Sequence, residues 1–195
     1  MRIFVALDID ESIRQRIQRF IDGVREFAPD ARWVRPESLH ITLKFIGEKP
    51  AETLEKITQA LAGIRGQAVS MTFRGHGFFP NANAARVFWV GLDSGAQLAQ
   101  LAASIDSRML SLGILKEEHA FSPHLTLARG GGGSGNPGRQ KGDRVNRAFQ
   151  RLQGKLAALP PPEFGTMTAR EFFLYQSQLG PGGSRYTKLQ NFELT

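Results

Sequence analysis

Two lobes built of strands and helices, facing one another across a cleft, are the fold this sequence predicts. Two observations carry the prediction. Segments of the first half recur in the second at a spacing of 84 residues, and within each half apolar residues switch between strand-like and helix-like periods. The spacing shows in Arg2-Ile3-Phe4 and Arg86-Val87-Phe88, each opening an apolar run. It shows again in His40-Ile41-Thr42-Leu43 and His124-Leu125-Thr126-Leu127. Two landmarks on one offset point to a duplication, with halves of about 1–83 and 84–195 in a single domain.

In chain order, the strand opened by Arg2 leads to Asp10, placed to cap a helix with apolar face Ile13, Ile17, Phe20, Ile21 and Val24. The first His-x-Thr segment alternates as a strand does. Leu54, Ile57, Leu61 and Ile64 then mark a helix, and Val69 to Phe73 a strand. The second half repeats this order: a strand from Arg86, Ser94 as N-cap, a helix through Leu98, Leu101, Ile105 and Met109, and the second His-x-Thr strand. A helix through Val145, Phe149, Leu152 and Leu156, starting near Asp143, ends at Pro160-Pro161-Pro162, because proline lacks the amide hydrogen a helix needs. Further strands are predicted from about Met167 to Leu174 and near Tyr186 to Leu194. Residues 130–140 include GGGGSGNPG and are expected to form a flexible loop. Gly130, Gly132 and Gly135 fit G-x-G-x-x-G, but a run this rich in glycine fits almost any glycine pattern, and G-x-x-x-x-G-K-[ST] is absent.

With 41% apolar residues in 195, the chain can build a core without staples. It has no cysteine, which excludes disulfides and thiolate metal sites and is in keeping with a reducing compartment. MRIFVALDIDES places acids straight after a short apolar run, and no run approaches the roughly 18 apolar residues of a membrane span. A soluble, cytoplasmic monomer is expected. The net charge of +7 and pI near 10.2 favour polyanionic partners, nucleic acid among them.

The chemistry lies in the two His-x-Thr segments. In a strand, His40 and Thr42 point one way while Ile41 and Leu43 point the other, and the same holds for His124 and Thr126 against Leu125 and Leu127. If the halves pack symmetrically, two imidazoles and two hydroxyls meet in a cleft suited to a tetrahedral phosphate. Opening a cyclic phosphodiester needs one group to take a proton from water and another to give one to the departing ribose oxygen. Imidazole, with an unperturbed pKa of about 6.5, can do either near neutral pH. The threonines and Arg129 can hold the non-bridging oxygens, and no metal or other cofactor is then required. A ring at Phe45 could stack on a nucleobase or could be plain packing. His76, in a turn-like Gly-rich stretch, and His119 read as structural, and Arg139, Lys141, Arg144, Arg147 and Arg151 form a basic cluster. No H-E-x-x-H completes a metal site and no G-x-S-x-G a nucleophile elbow.

RIFVALDI, WVRPESLHITLKFIGE, HGFFPNANAARVFWVGL, FSPHLTLAR and LGPGGSRYTKLQNFEL span nearly the whole chain and resemble the two-histidine phosphoesterases, in particular the bacterial and archaeal RNA 2',3'-cyclic phosphodiesterases once called 2'-5' RNA ligases. The resemblance implies a bilobal α+β fold in which two antiparallel sheets with pseudo-twofold symmetry line a central cleft, with helices outside. It implies His40 as proton donor to the ribose oxygen, His124 as proton acceptor from water, and Thr42 and Thr126 as phosphate holders. It further implies RNA ends or nucleotides with a 2',3'-cyclic phosphate as substrate and a 2'-phosphomonoester as product. The glycine-rich stretch after Arg129 departs from the shorter basic connection expected there. Ligation of RNA ends through a 2'-5' linkage, hydrolysis of small nucleotides, and a non-catalytic RNA-binding module are the alternatives.

Overall fold

The computed structural model describes residues 1–130, 147–181 and 183–195. In chain order these form β1 (Arg2–Leu7), α1 (Glu11–Val24), β2 (Arg32–Trp33), β3 (Ile41–Glu48), α2 (Leu54–Ala62), β4 (Val69–Phe79), β5 (Val87–Ser94), α3 (Ala96–Leu110), β6 (His124–Arg129), α4 (Gln150–Ala157), β7 (Glu163–Ala169), β8 (Glu171–Gly180) and β9 (Gly183–Glu193). The strands pair antiparallel in two sheets, β3-β1-β8-β9 and β2-β6-β5-β4-β7. This is the bilobal α+β architecture expected.

Each sheet draws on both halves of the sequence. β1 and β3 take β8 from the second half into their sheet, while β5 and β6 take β4 from the first. The chain leaves the second sheet at Ala169 and enters the first at Glu171, so the one strand expected from Met167 to Leu174 is two strands in different sheets. The amide of Leu194 donates to the Arg170 carbonyl at 2.8 Å and ties down this crossing. The helices cross over as well. α1 packs on β7 and α3 on β3, and their inward residues, Ile13, Ile17 and Ile21 on one and Leu98, Leu101 and Ile105 on the other, join both sheets in one contiguous core.

Several local expectations are corrected. Ser94 ends β5 and Gly95 takes the N-cap of α3, whereas Asp10 does occupy the N-cap of α1 in an extended conformation, without a side-chain capping bond. His76 is not in a turn: β4 runs on to Phe79, its register shifting between Phe73 and His76 beside Gly75, whose φ of +71° suits glycine. α2 ends at Ala62, with Ile64 buried just beyond it. α4 starts at Gln150 after a 3-10 turn at Arg147–Phe149, and a start near Asp143, like the glycine run after Gly130, lies outside the described residues.

The Arg-x-Phe landmark proves not to be structurally equivalent in the two lobes. Phe4 pairs with Phe45 and Ala6 with Thr42, but Val87 pairs with Arg129 and Trp89 with Thr126. With the histidine strands matched at 84, β1 and β5 therefore match at 83. A one-residue slip reverses the faces of a strand. Phe4 accordingly sits with Ala6, Phe173 and Tyr175 on the cleft side of its sheet, while Phe88 is central to the main core among Phe20, Trp33, Phe78 and Phe149. No helix among the described residues is long and apolar enough to cross a membrane.

Candidate active site

One face of each sheet opens onto a cavity of about 600 Å³ whose lining includes His40, Thr42, Phe45, His124, Thr126 and Arg129. The fold thus brings together all six residues singled out from the sequence. The opposite faces of the same strands are core, with Ile41, Leu125 and Leu127 fully buried and Leu43 nearly so.

Strict alternation would place Phe45 and Arg129 with the core residues, since each lies three positions beyond a threonine. A β-bulge prevents this in both lobes. Consecutive paired residues jump from Thr42 to Lys44 in β3 and from Thr126 to Ala128 in β6, leaving Leu43 and Leu127 as the extra residues. The bulge inverts the alternation beyond it, so Phe45 and Arg129, 84 residues apart, both turn to the cleft. Phe45 is 50% exposed, which speaks against packing as its role. The same inversion buries Lys44 to 2% exposure. Its ammonium pairs with Asp106 of α3 at 2.8 Å and donates to the Leu115 carbonyl at 2.8 Å, fastening β3 to the helix behind it.

Two serines outside the sequence-based selection fix the imidazoles. His40 Nδ1 lies 2.7 Å from the Ser38 carbonyl oxygen, and His124 Nδ1 lies 2.7 Å from that of Ser122. A carbonyl only accepts, so each Nδ1 carries the hydrogen and each Nε2 is left for chemistry. Ser-x-His-x-Thr-Leu is the repeated unit, and the common offset of Ser38 and Ser122 is the signal that could have found them. His40 Nε2 lies 3.1 Å from Thr42 Oγ1. Around the His40 ring stand Phe4 at 4.9 Å and Tyr186 at 5.0 Å between centroids, and edge-on to His124 stands Phe79 at 4.8 Å.

Burial pushes both imidazoles below the usual histidine pKa. The serine carbonyls oppose this and the Arg129 guanidinium adds to it, and at His40 the Asp8 carboxylate pulls upward again. Burial also resists ionisation of Asp8, but Lys188, the Ile9 amide and Arg14 together hold its carboxyl below the ordinary carboxylate range. In the free protein both histidines are therefore biased toward the neutral form.

The other histidines lie elsewhere. His76, its pKa lowered by burial, packs against Phe78 and Phe88, and His119 is exposed between α3 and β6. Of the basic cluster, Arg151 sits over the Phe27 ring, while Arg139, Lys141 and Arg144 are outside the described residues. Among the described residues no three His, Cys, Asp or Glu side chains group as a metal site.

Two antiparallel sheets, each contributing a His-x-Thr strand to one cavity, define a two-histidine phosphoesterase. The LigT like Phosphoesterase family profile matches the chain twice, over residues 7–89 and 90–186, and the chain belongs to that family. It is 33% identical over 193 residues to the RNA 2',3'-cyclic phosphodiesterase of Archaeoglobus fulgidus, covering 99% of this chain and 100% of that one. It is 31% identical over 198 residues to the enzyme of the same name from Escherichia coli, covering 100% and 97%. Among solved structures, E. coli LigT complexed with 3'-AMP superposes with a TM-score of 0.76 at 28% identity, covering 100% and 98% of the two chains. A protein from Thermus thermophilus superposes equally well, at a TM-score of 0.76 and 28% identity, covering 99% and 97%.

Proposed function

We propose that this protein hydrolyses a terminal 2',3'-cyclic phosphate on RNA to a 2'-phosphomonoester, by metal-independent acid-base catalysis between His40 and His124, in the cytoplasm. The observation that carries the reading is the pair of imidazoles from opposite sheets in one cavity, each with Nδ1 committed to a serine carbonyl. The names of the full-length relatives support the substrate class.

In this reading His124 Nε2 takes a proton from water as the water oxygen bonds to phosphorus. The bond from phosphorus to the ribose 3' oxygen breaks, and that oxygen takes the proton held on His40 Nε2. Arg129 and the Thr42 and Thr126 hydroxyls hold the non-bridging oxygens as charge shifts onto them. Phe45 offers a ring for the terminal base. A turnover leaves the protons exchanged between the two imidazoles, and solvent restores them.

The test is hydrolysis of a nucleoside 2',3'-cyclic phosphate in excess EDTA, with the product read by phosphorus NMR. Undiminished turnover to a 2'-phosphate is expected. EDTA-sensitive turnover or a 3'-phosphate product overturns the mechanism, and no turnover on either mononucleotide or short RNA substrates overturns the activity.

The pH profile follows from the lowered histidine pKa values. Productive free enzyme carries one proton on the pair, so both limbs of kcat/KM are displaced downward and its optimum is expected below about pH 6.5. Bound phosphate is an anion and offsets Arg129, so the alkaline limb of kcat is expected at higher pH than that of kcat/KM. An optimum of kcat/KM above about pH 8, well past the ordinary histidine range, would contradict the assignment.

A further inference from the structure

Beside the histidine cavity lies a second one of about 290 Å³, and Arg32, Arg129, Leu179 and Tyr186 line both. The two cavities therefore join in one trough, and the lining of the second adds Arg35. Arg32 and Arg129 stand directly opposite each other in the β2-β6 ladder. Like charges so placed repel one another. Both side chains are exposed, and among the described residues neither is ion-paired with a carboxylate. Arg32 is not needed to place its own strand. The Val34 amide donates to the Leu127 carbonyl at 2.8 Å, holding this segment against β6, and the Trp33 indole donates to the Ala28 carbonyl at 3.1 Å, anchoring β2 to the chain before it.

Two opposed guanidinium groups at the junction of a reaction cavity and a trough suit two successive phosphates, one at each. We propose that Arg32, beside the Arg129 that holds the cyclic phosphate, binds the internucleotide phosphodiester immediately 5' to the cyclic end. This inference rests on the cyclic phosphodiesterase reading. A nucleotide with a 2',3'-cyclic phosphate is a 3' terminus, so the next backbone phosphate lies on its 5' side, and a guanidinium can hold a phosphodiester through two parallel hydrogen bonds. The consequence is a preference for oligonucleotide ends over mononucleotides, set by Arg32.

The experiment compares uridine 2',3'-cyclic phosphate with the dinucleotide UpU ending in a 2',3'-cyclic phosphate, for wild type, Arg32→Ala and Arg32→Lys. Wild type is expected to favour the dinucleotide in kcat/KM. Arg32→Ala should lose about tenfold on the dinucleotide, the low end for a charge-assisted bond at an exposed site, and several-fold less on the mononucleotide. It should also flatten the salt dependence of dinucleotide KM by about one phosphate contact, and Arg32→Lys should recover part of the loss. Equal losses on both substrates, or none, overturn the subsite. Calorimetric binding of the product dinucleotide, UpU ending in a 2'-phosphate, against 2'-UMP reads the subsite independently of turnover. If wild type hydrolyses neither substrate the proposed function fails, while an Arg32-dependent preference for the 2'-phosphorylated dinucleotide over 2'-UMP still upholds the subsite and its absence still overturns it.

Discussion

His124→Ala is expected to lower kcat for cyclic phosphate hydrolysis by about 10²- to 10⁴-fold with little change in KM, and His40→Ala to do the same. Each substitution removes one proton transfer but leaves Arg129 and the threonines in place to bind phosphate. The two histidines act on one transition state, so the double variant should lose far less than the product of the single losses. The folded scaffold should survive, because each imidazole faces the cavity and its Nδ1 tether runs to a serine carbonyl just before the strand. The roles separate with a phosphodiester whose leaving group is p-nitrophenolate, which needs no proton. Loss of the donor matters less on that substrate, so His40→Ala should regain activity while His124→Ala should not. The reverse pattern would exchange the two roles, and full activity of either variant on the natural class of substrate would end the two-histidine account.

The second large effect falls outside the cleft. Lys44→Ala is expected to destabilise the fold by about 3 kcal/mol in urea unfolding, the lower end for a broken buried ion pair, because Asp106 keeps 29% side-chain exposure and can rehydrate. Asp106→Ala should cost at least as much. It leaves the ammonium 2% exposed with the Leu115 carbonyl as its remaining partner. Replacing both, as Lys44→Met with Asp106→Leu, should recover much of the loss, since an apolar pair of similar volume avoids desolvating two charges. Equal stability of Lys44→Ala and wild type would show that the pair contributes nothing and that β3 is held by its apolar face alone.

Lys44 also shows where reading the sequence stops. Counted two residues from Thr42 it belongs on the cleft face beside the histidines, and nothing in ITLKFIGE signals the extra residue that turns it into the core. A bulge is decided by how two strands settle against each other, so it is invisible in one strand alone. The same event turns Phe45 and Arg129 inward, and their place in the cavity follows from a register that neither neighbouring sequence encodes.

The exchange of strands between lobes has a similar origin. The sequence marks two halves and a strand from Met167 to Leu174, but the change of sheet at Arg170 depends on which exposed edges are open to each part of that strand. Arg-x-Phe misled for a related reason. Short apolar motifs recur wherever a strand begins, and pairing fixes register to one residue whereas a motif match does not.

By itself, the sequence determined what depends on local order: helical stripes from the 3.6-residue period, the two strands on which histidine and threonine share a face, and a repeat whose polar members exceed what a core requires. Only the tertiary structure decided that the two strands face one cavity, that bulges add Phe45 and Arg129 to it, and that serine carbonyls orient the imidazoles. The physical reason is range. Periodicity is a property of neighbours along the chain, whereas register, sheet exchange and the burial that lowers both histidine pKa values arise from contacts between residues far apart in sequence.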